Sequence, residues 1–243
     1  MSIHIHYIEA GGTVDDEQAL EQFQKQWATY QKVVDHDSLA HKEVAAILHD
    51  SLMAVPDPFD FLDIACGDAG QMRTALAGTK IRHYRGLDLS EPALELAAKN
   101  LDGAPFDVEL DCGDFVATFT GQQDRSDVSW CSLSIHHLNT DGKRNLLRAL
   151  HESTSKFLMI YEPTMLEGED RAAYLERFER INKPAWTFFT PEEWNQLYHH
   201  VATCDLPETA TAWQTLGREA GFAEARQIDL DPTGFYGLYR YDR

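Results

Sequence analysis

The chain has 243 residues, enough for one large domain or for a domain with an added cap. Its 40 acidic and 21 basic residues give a formal net charge of −19, and no local run of lysine and arginine offsets this excess. Because such a charge repels a phosphate backbone, we expect no nucleic-acid partner. The same field favours a cationic or amine ligand, although an acidic surface also serves solubility alone.

Targeting signals and cysteine spacing indicate the cellular compartment and the state of the thiols. No apolar run approaches the length of a membrane span, and residues 1–6 lack the basic and apolar regions of a signal peptide. We therefore expect a cytoplasmic protein without a membrane partner, as a monomer or a homodimer. The cysteines have no close pair with metal-ligand spacing, so the expectation is reduced thiols and no metal site. They are Cys66, Cys112, Cys131 and Cys204.

The first part of the chain is predicted to be helical. Apolar residues recur at helical spacing over residues 20–34 and again over 39–52. Within residues 3–9, Ile3, Ile5 and Tyr7 alternate with histidines, which predicts a short strand or an ordered tail. We interpret residues 1–56 as an N-terminal helical segment and residues 57–243 as the main domain.

A strand, a tight turn and a helix are predicted near residues 59–77. The apolar run 59–65 ends at Gly67, which lets the backbone approach a ligand closely. Asp68 and Gln71 have the spacing of a capping box for the following helix. This arrangement favours a nucleotide-type ligand.

A second motif supports a nucleoside. Asp88 ends another strand-like run about twenty residues further on, where an acid would hold ribose hydroxyls. The glycines Gly67 and Gly70 give only Gly-x-x-Gly, so the full dinucleotide fingerprint is missing. A ligand without a pyrophosphate is expected.

Apolar strands and helical stripes then alternate, which is the rhythm of a parallel sheet. Strands are predicted near 59–65, 82–88, 106–111, 126–133 and 157–161, with helices near 69–77, 91–101 and 114–119 between them and another after the fourth strand. Residues 164–205 hold extra helices near 168–181 and from Thr190, the second opened by a capping box. A helix over 207–220 and a β-hairpin over 225–241 follow. Trp186, Phe188 and Phe189 either line an acceptor pocket or fasten the insertion to the core.

Four segments together resemble the class I, seven-stranded S-adenosylmethionine-dependent methyltransferases, in particular their bacterial small-molecule branch. They are residues 62–70, 86–90, 112–115 and 127–138, and the resemblance covers about residues 57–243. It implies an α/β fold with a Rossmann-like, mostly parallel seven-stranded sheet, an antiparallel C-terminal strand and helices on both faces. An N-terminal helical lid and a helical insertion after the fifth strand, at about 164–205, complete the expected architecture.

The resemblance also implies the cofactor, S-adenosylmethionine, with S-adenosylhomocysteine as product. Backbone groups near Gly67 would face the methionine part, and Asp88 would bind the ribose. Leu89, Asp114 and Phe115 would contact the adenine, and Ser132 and Leu133 would lie near the sulfonium. Helix capping is the alternative interpretation of Asp88 and Asp114. The full predicted set is Asp63, Ala65, Gly67, Asp88, Leu89, Asp114, Phe115, Ser132, Leu133 and, from the lid, Tyr30.

Catalytic candidates follow the fourth and fifth strands. A histidine of near-neutral pKa can remove a proton from a hydroxyl or an ammonium acceptor, and we rank His137 above His136 for this role. Glu162 is predicted to anchor an amine or to act as a second base. The alternative is that the histidine pair hydrogen-bonds within its own loop.

The sequence therefore predicts transfer of a methyl group by in-line displacement to a nitrogen or oxygen of a small-molecule acceptor. The acceptor site would be roofed by residues 1–50, where Asp35, His36 and His41 are further lid candidates, and by 164–205. The alternatives are a protein side-chain methyltransferase and a non-catalytic module that binds S-adenosyl compounds.

Overall fold

The structure, a computed structural model, describes residues 3–7, 31–119 and 125–243. Its strands are β1 (Ile5–Tyr7), β2 (Phe59–Ile64), β3 (Ile81–Asp88), β4 (Asp107–Cys112), β5 (Ser126–Ser132), β6 (Thr154–Met165), β7 (Glu208–Thr209), β8 (Glu224–Leu230) and β9 (Tyr236–Asp242). Its helices are α1 (31–35), α2 (His41–Met53), α3 (Met72–Leu76), α4 (Glu91–Asn100), α5 (Phe115–Phe119), α6 (Thr140–Ser153), α7 (Arg171–Ala185), α8 (Pro191–Cys204) and α9 (Ala210–Ala220), with a 3₁₀ turn at Ile135–His137. No helix in these ranges has the length and apolarity to cross a membrane.

The strands form a single mixed sheet in the order β1-β4-β3-β2-β5-β6-β9-β8, with β7 paired to β6. The pairs from β1 to β6 along this order are parallel, whereas β9 runs antiparallel to β6 and β8 antiparallel to β9. This confirms the predicted Rossmann-like, mostly parallel sheet with an antiparallel C-terminal part. The described sheet has nine strands rather than seven, because the short strand β1 adds to the edge beside β4 and β7 pairs with the last residues of β6.

Helices cover both faces of the sheet, as predicted. One core packs α2, α3, α4, α7 and α8 against one face, and the other packs α6 and α9 against the opposite face. The strand β2 is almost entirely buried, which explains its nearly continuous apolar sequence. The apolar stripe of α2 contributes Val44, Leu48 and Leu52 to the first core.

The helical insertion after β6 is built around its aromatic residues. The ring of Phe178 on α7 lies 5.9 Å from Trp186 and 6.0 Å from Trp194, measured between centroids. These rings are buried in the first core, so they fasten the insertion to the domain. The predicted capping box of α8 is present, with Thr190 and Glu193 exchanging hydrogen bonds.

Several predicted boundaries shift: β6 spans Thr154–Met165 rather than 157–161, and α3 spans Met72–Leu76 rather than 69–77. The helix α7 runs on to Ala185, past its predicted end at residue 181, with Pro184 inside its last turn. The predicted helix over 207–220 begins only at Ala210, because residues 208–209 pair with β6 and the Thr209 hydroxyl caps α9. Gly221 ends that helix in the left-handed conformation.

The C-terminal hairpin is held by one carboxylate. Asp231 accepts hydrogen bonds from the backbone N–H groups of Thr233, Phe235 and Tyr236, at 2.9, 2.8 and 2.7 Å. These bonds close the turn between β8 and β9 and place β9 beside β6.

Candidate active site

A cavity of about 330 Å³ opens at the carboxyl ends of the parallel strands. It lies beside β2, where the strand order turns from β3 on one side to β5 on the other. In open α/β sheets this crossover point is where ligands bind. The cavity is lined by the turn after β2, by the ends of β2, β3 and β5, and by α1 and α2; the lining residues are Val34, His41, Val44, Ala45, Leu48, Asp63, residues 65–72, Asp88, Trp130 and residues 132–134.

The turn after β2 has an unusual backbone. Ala65, Gly67 and Ala69 all have positive φ angles, of 54°, 54° and 50°. Two of them are alanines, and left-handed backbone at a non-glycine residue costs free energy that functional sites commonly retain. The predicted capping box is wrong, because the Asp68 carboxylate instead accepts from the Gly70 N–H at 3.0 Å.

Asp63 is a buried carboxylate at the cavity wall. Its side chain accepts a hydrogen bond of 2.7 Å from the Tyr84 hydroxyl. Burial raises the pKa of Asp63 to about 7; the Tyr84 bond opposes this rise and the charge of Asp88 adds to it. A cation in the cavity would favour the ionised form of this group.

Asp88 closes the cavity from β3. Its two carboxylate oxygens accept the N–H groups of Gly67 and Ser90, each at 2.8 Å. Burial raises the pKa of Asp88, and these backbone bonds oppose the rise. The following helix α4 is capped by the hydroxyl of Ser90, so Asp88 does not cap it. A carboxylate offers about four lone-pair directions, so Asp88 retains acceptor capacity for ribose hydroxyls.

The predicted adenine contacts lie outside the cavity. Asp114 accepts from the Ala117 N–H at 2.9 Å, which is the capping alternative of the sequence analysis. Phe115 packs against the core cluster of α6, and Leu89 is 68% exposed at the surface. Adenine binding by these three residues stays a prediction.

Ser132 and Leu133 do line the cavity, where β5 ends. Leu133 has a φ of 53°, and its N–H donates to the carbonyl of Tyr161 at 2.8 Å. The left-handed residue turns the chain away from the sheet at this point. It thereby keeps the strand end open toward the cavity.

The predicted catalytic groups lie behind this loop and are not part of the cavity lining. Glu162 is fully buried, and its carboxylate accepts the N–H groups of Ser134 and Ile135 at 3.1 and 2.9 Å and contacts His136 Nδ1 at 2.7 Å. Burial lowers the pKa of His136, but the bond to Glu162 and its charge outweigh this and raise it. A direct role for Glu162 as a second base does not fit this placement. The alternative, a histidine pair bonded within its loop, fits better for His136.

Residues 61–156 match a family model described as a methyltransferase domain. The match spans the turn after β2, Asp88 and the end of β5. This part of the chain is therefore similar to methyltransferase domains.

Solved structures agree with this fold. The mitomycin 7-O-methyltransferase MmcR is 16% identical with a TM-score of 0.58, over 94% of this chain and 59% of its own. The pyocyanin biosynthetic protein PhzM is 20% identical with a TM-score of 0.55, over 81% and 54%. The magnesium protoporphyrin IX methyltransferase ChlM from Synechocystis, solved with S-adenosylhomocysteine, is 12% identical with a TM-score of 0.56, over 97% and 90%. The chain thus spans less than two thirds of MmcR and PhzM, and a comparison with curated sequences finds no match.

The cavity at the carboxyl ends of the strands fits S-adenosylmethionine. Gly67 brings the backbone to the cavity surface, Asp88 has unused acceptor capacity, and Asp63 and Asp88 supply negative charge for a cationic ligand. A cationic sulfonium suits such a site better than the pyrophosphate of a dinucleotide does.

The roof of the cavity comes from α1 and α2. Val34 and His41 line it, together with Val44, Ala45 and Leu48. Sequence analysis placed the apolar residues of α2 in a core stripe, since a residue that faces a ligand and one that faces the core share the same helical spacing. Tyr30 lies outside the described residues. Two other lid candidates, Asp35 and His36, are not among the lining residues, and the His36 ring stacks on Phe188 of the insertion at 4.0 Å.

Proposed function

We propose that this chain transfers the methyl group of S-adenosylmethionine to an oxygen or a nitrogen of a small-molecule acceptor. The observation that carries the proposal is one cavity, at the crossover point, that brings together Asp88, the Gly67 turn and the end of β5 under a helical roof. MmcR and ChlM bear names of enzymes that methylate small molecules, which supports this class of acceptor.

The cofactor supplies an electrophilic methyl group on a sulfonium centre. Asp88 binds the ribose hydroxyls, and the backbone of the turn at residues 65–67 holds the methionine part. Asp63 offsets positive charge from the cavity wall. The chain's contribution is then to hold the acceptor in line with the bond that breaks, since displacement depends mainly on distance and alignment.

The roof indicates the nature of the acceptor. Val34, Val44, Ala45 and Leu48 present apolar surface to the cavity, and α1 and α2 cover it on that side. An acceptor with an apolar body and a single polar methylation site fits such a lining. This favours a small molecule over a protein side chain.

We assign the proton-accepting role to His41 instead of His137. His41 is the histidine among the described lining residues, at the start of α2. Burial lowers the pKa of His41 below its ordinary 6.5, against the charges of Asp37 and Asp68 that raise it. A neutral imidazole at physiological pH is ready to take a proton from an acceptor hydroxyl or ammonium group.

Calorimetric titration with S-adenosylhomocysteine tests the cofactor assignment. Wild type should bind it, and Asp88→Asn should bind about 10- to 100-fold more weakly, because one or more charge-assisted hydrogen bonds to the ribose are lost. Asp170→Asn is the matched control, since Asp170 also accepts a backbone N–H, at the start of α7. Tight binding of NAD with no binding of S-adenosyl compounds would overturn the proposal.

Release of S-adenosylhomocysteine with a panel of phenols, carboxylic acids and amines tests the acceptor. Turnover with a protein-free cell extract supports a small-molecule acceptor. Turnover only with extract proteins supports the side-chain alternative, and no turnover at all supports the non-catalytic module.

The two histidine assignments are separated by comparing His41→Gln with His137→Gln. We expect His41→Gln to lower kcat/KM by about 10²- to 10⁴-fold, the usual contribution of a general base, and to remove a rising limb below pH 6.5. A larger loss in His137→Gln would return that role to His137.

A further inference from the structure

A cluster of histidines and one carboxylate lies outside the lining of the cofactor cavity. It joins the 3₁₀ turn after β5 to the end of α8. His136, His137 and Asp205 each direct one nitrogen or oxygen into a group whose atoms lie within 4.8 Å of one another. His200, on α8, adds a fourth nitrogen, with Nε2 at 3.6 Å from Asp205 Oδ1.

Asp205 is the unexplained residue of the cluster. It is only 7% exposed, and its Oδ1 atom has no hydrogen-bond partner in the part of the chain that the structure describes. A buried carboxylate oxygen without a partner is costly unless a ligand or an ion satisfies it. Three imidazole nitrogens surround this oxygen instead of a hydrogen-bond donor at normal distance.

The spacing of these atoms suits a metal ion. Asp205 Oδ1 lies 3.6 Å from His136 Nε2 and 3.8 Å from His137 Nδ1. Both separations are too long for hydrogen bonds. A tetrahedral zinc ion with ligands at about 2.0–2.1 Å separates its ligand atoms by about 3.4 Å, so small side-chain shifts would close the site.

The surroundings of His136 support the same conclusion. Its Nδ1 lies 2.7 Å from Glu162 Oε2. The Glu162 carboxylate also accepts backbone N–H groups, so Glu162 is the acceptor in its contact with His136. This contact fixes the proton on Nδ1 and leaves the Nε2 lone pair directed toward Asp205. Metal-binding histidines are commonly oriented by a carboxylate in this way.

The charges near the cluster also favour a cation. The buried carboxylates of Glu162 and Asp205 carry two negative charges, and the one positive charge of Arg171 that acts on Asp205 leaves a net negative charge. Lys143, which also lies near His136, is paired with Glu208 at 2.9 Å and adds no net charge. The half-exposed rings of His137 and His200 leave a route for an ion from solvent.

We propose that His136 Nε2, His137 Nδ1 and Asp205 Oδ1 bind a divalent transition-metal ion, with His200 Nε2 as the fourth ligand. Imidazole with one carboxylate favours zinc, iron, nickel or copper over magnesium or calcium. The ion ties the C-terminal end of α8, in the helical insertion, to the loop that follows β5. Through Glu162 it also steadies the backbone of Ser134, which lines the cofactor cavity.

The test uses the full chain, stripped of metal with a chelator and titrated with Zn²⁺ alone. Wild type should bind about one equivalent, and its thermal midpoint should rise with Zn²⁺. His137→Gln and Asp205→Asn should each weaken binding by about 100-fold or more, since even an outer partner of a metal ligand is worth about 10- to 100-fold. His137 is half-exposed, so its variant should fold normally even if Asp205→Asn does not.

Two controls separate this site from adventitious binding. His199→Gln removes an exposed histidine from the same helix, and Cys204→Ser removes an exposed thiol beside Asp205. Both should bind Zn²⁺ as wild type does. With Co²⁺ as probe, visible absorption bands typical of nitrogen and oxygen ligands should appear in wild type and vanish in His137→Gln.

The competing account is a protonated His136 held between Glu162 and Asp205 without any metal. Absence of stoichiometric Zn²⁺ binding, or binding that survives His137→Gln or is lost in Cys204→Ser, would overturn the metal site. These experiments need no S-adenosyl compound, so their outcome is independent of the proposed methyl transfer.

Discussion

The buried carboxylate of Asp63 should lower the stability of the fold at neutral pH, and Asp63→Asn should relieve this. The pKa of Asp63 is raised from 3.8 to about 7. One pKa unit corresponds to about 1.4 kcal/mol, so ionised Asp63 costs up to about 4 kcal/mol of unfolding free energy at pH values above 7. The amide of asparagine has the same shape, carries no charge and still accepts the Tyr84 hydroxyl.

The sign of the pH dependence is fixed by this shift. Because the folded-state pKa lies above the unfolded one, the contribution of Asp63 to stability is fully present below about pH 4 and is lost as the pH rises through about 7. The variant lacks this loss. Its advantage over wild type should therefore grow as the pH rises from about 4 and reach its full size only above pH 7.

Urea unfolding at about pH 5.5 and pH 8 measures this difference, with Asp170→Asn as the control for a carboxylate with an ordinary exposed role. We expect Asp63→Asn to be more stable than wild type by about 2–4 kcal/mol at the higher pH and to bind S-adenosylmethionine more weakly, because a negative charge at the cavity wall is gone. An equal stability difference at both pH values would show that Asp63 is already ionised without penalty and would refute the reasoning.

Three further substitutions should lower the stability of the fold. Gly86→Ala places a methyl group 2.9 Å from the Cys66 sulfur in the turn, so it should destabilise by about 1–3 kcal/mol and weaken S-adenosylhomocysteine binding, as thermal melting and calorimetry will show. Glu162→Gln puts an amide donor among backbone N–H donors and should cost about 3 kcal/mol or more in urea unfolding; a loss under 1 kcal/mol would contradict the described bonds. Thr190→Ala breaks the capping box with Glu193 and should cost about 1 kcal/mol by the same assay without changing cofactor affinity.

The local part of the site could be predicted from the sequence. The turn at Gly67, the acid at Asp88 and the strand end at Ser132 each follow a buried parallel strand, and the carboxyl ends of such strands meet at one edge of the sheet. Their order along the chain was therefore sufficient to bring them together. Their location in one cavity depends on the parallel pairing of β2 with β3 and β5, which the alternation of strands and helices predicts.

Residue type alone could not separate binding from capping. Asp88 and Asp114 both follow a strand and precede a helix, yet Ser90 caps α4 while Asp114 itself bonds to the first turn of α5. The Asp68 capping box failed for a related reason. The left-handed Ala69 turns the chain so that the carboxylate meets Gly70 instead.

The proposed metal site could not be predicted from the sequence because its residues come from distant segments. His136 and His137 follow β5, whereas His200 and Asp205 lie at the end of the helical insertion. These four residues come close together only because α8 packs against that loop, and no closely spaced pair of ligands in the sequence predicts this. The expectation of no metal site rested on spacing alone.

The place of β9 within the sheet has a consequence for synthesis. This strand is made more than seventy residues after β6, yet it lies between β6 and β8 and covers one long edge of β6. While a ribosome is still making the intervening helices, β6 therefore presents unpaired backbone groups to other nascent chains. A chain interrupted before Tyr236 should aggregate, and chaperones that shield strand edges should matter most during that interval.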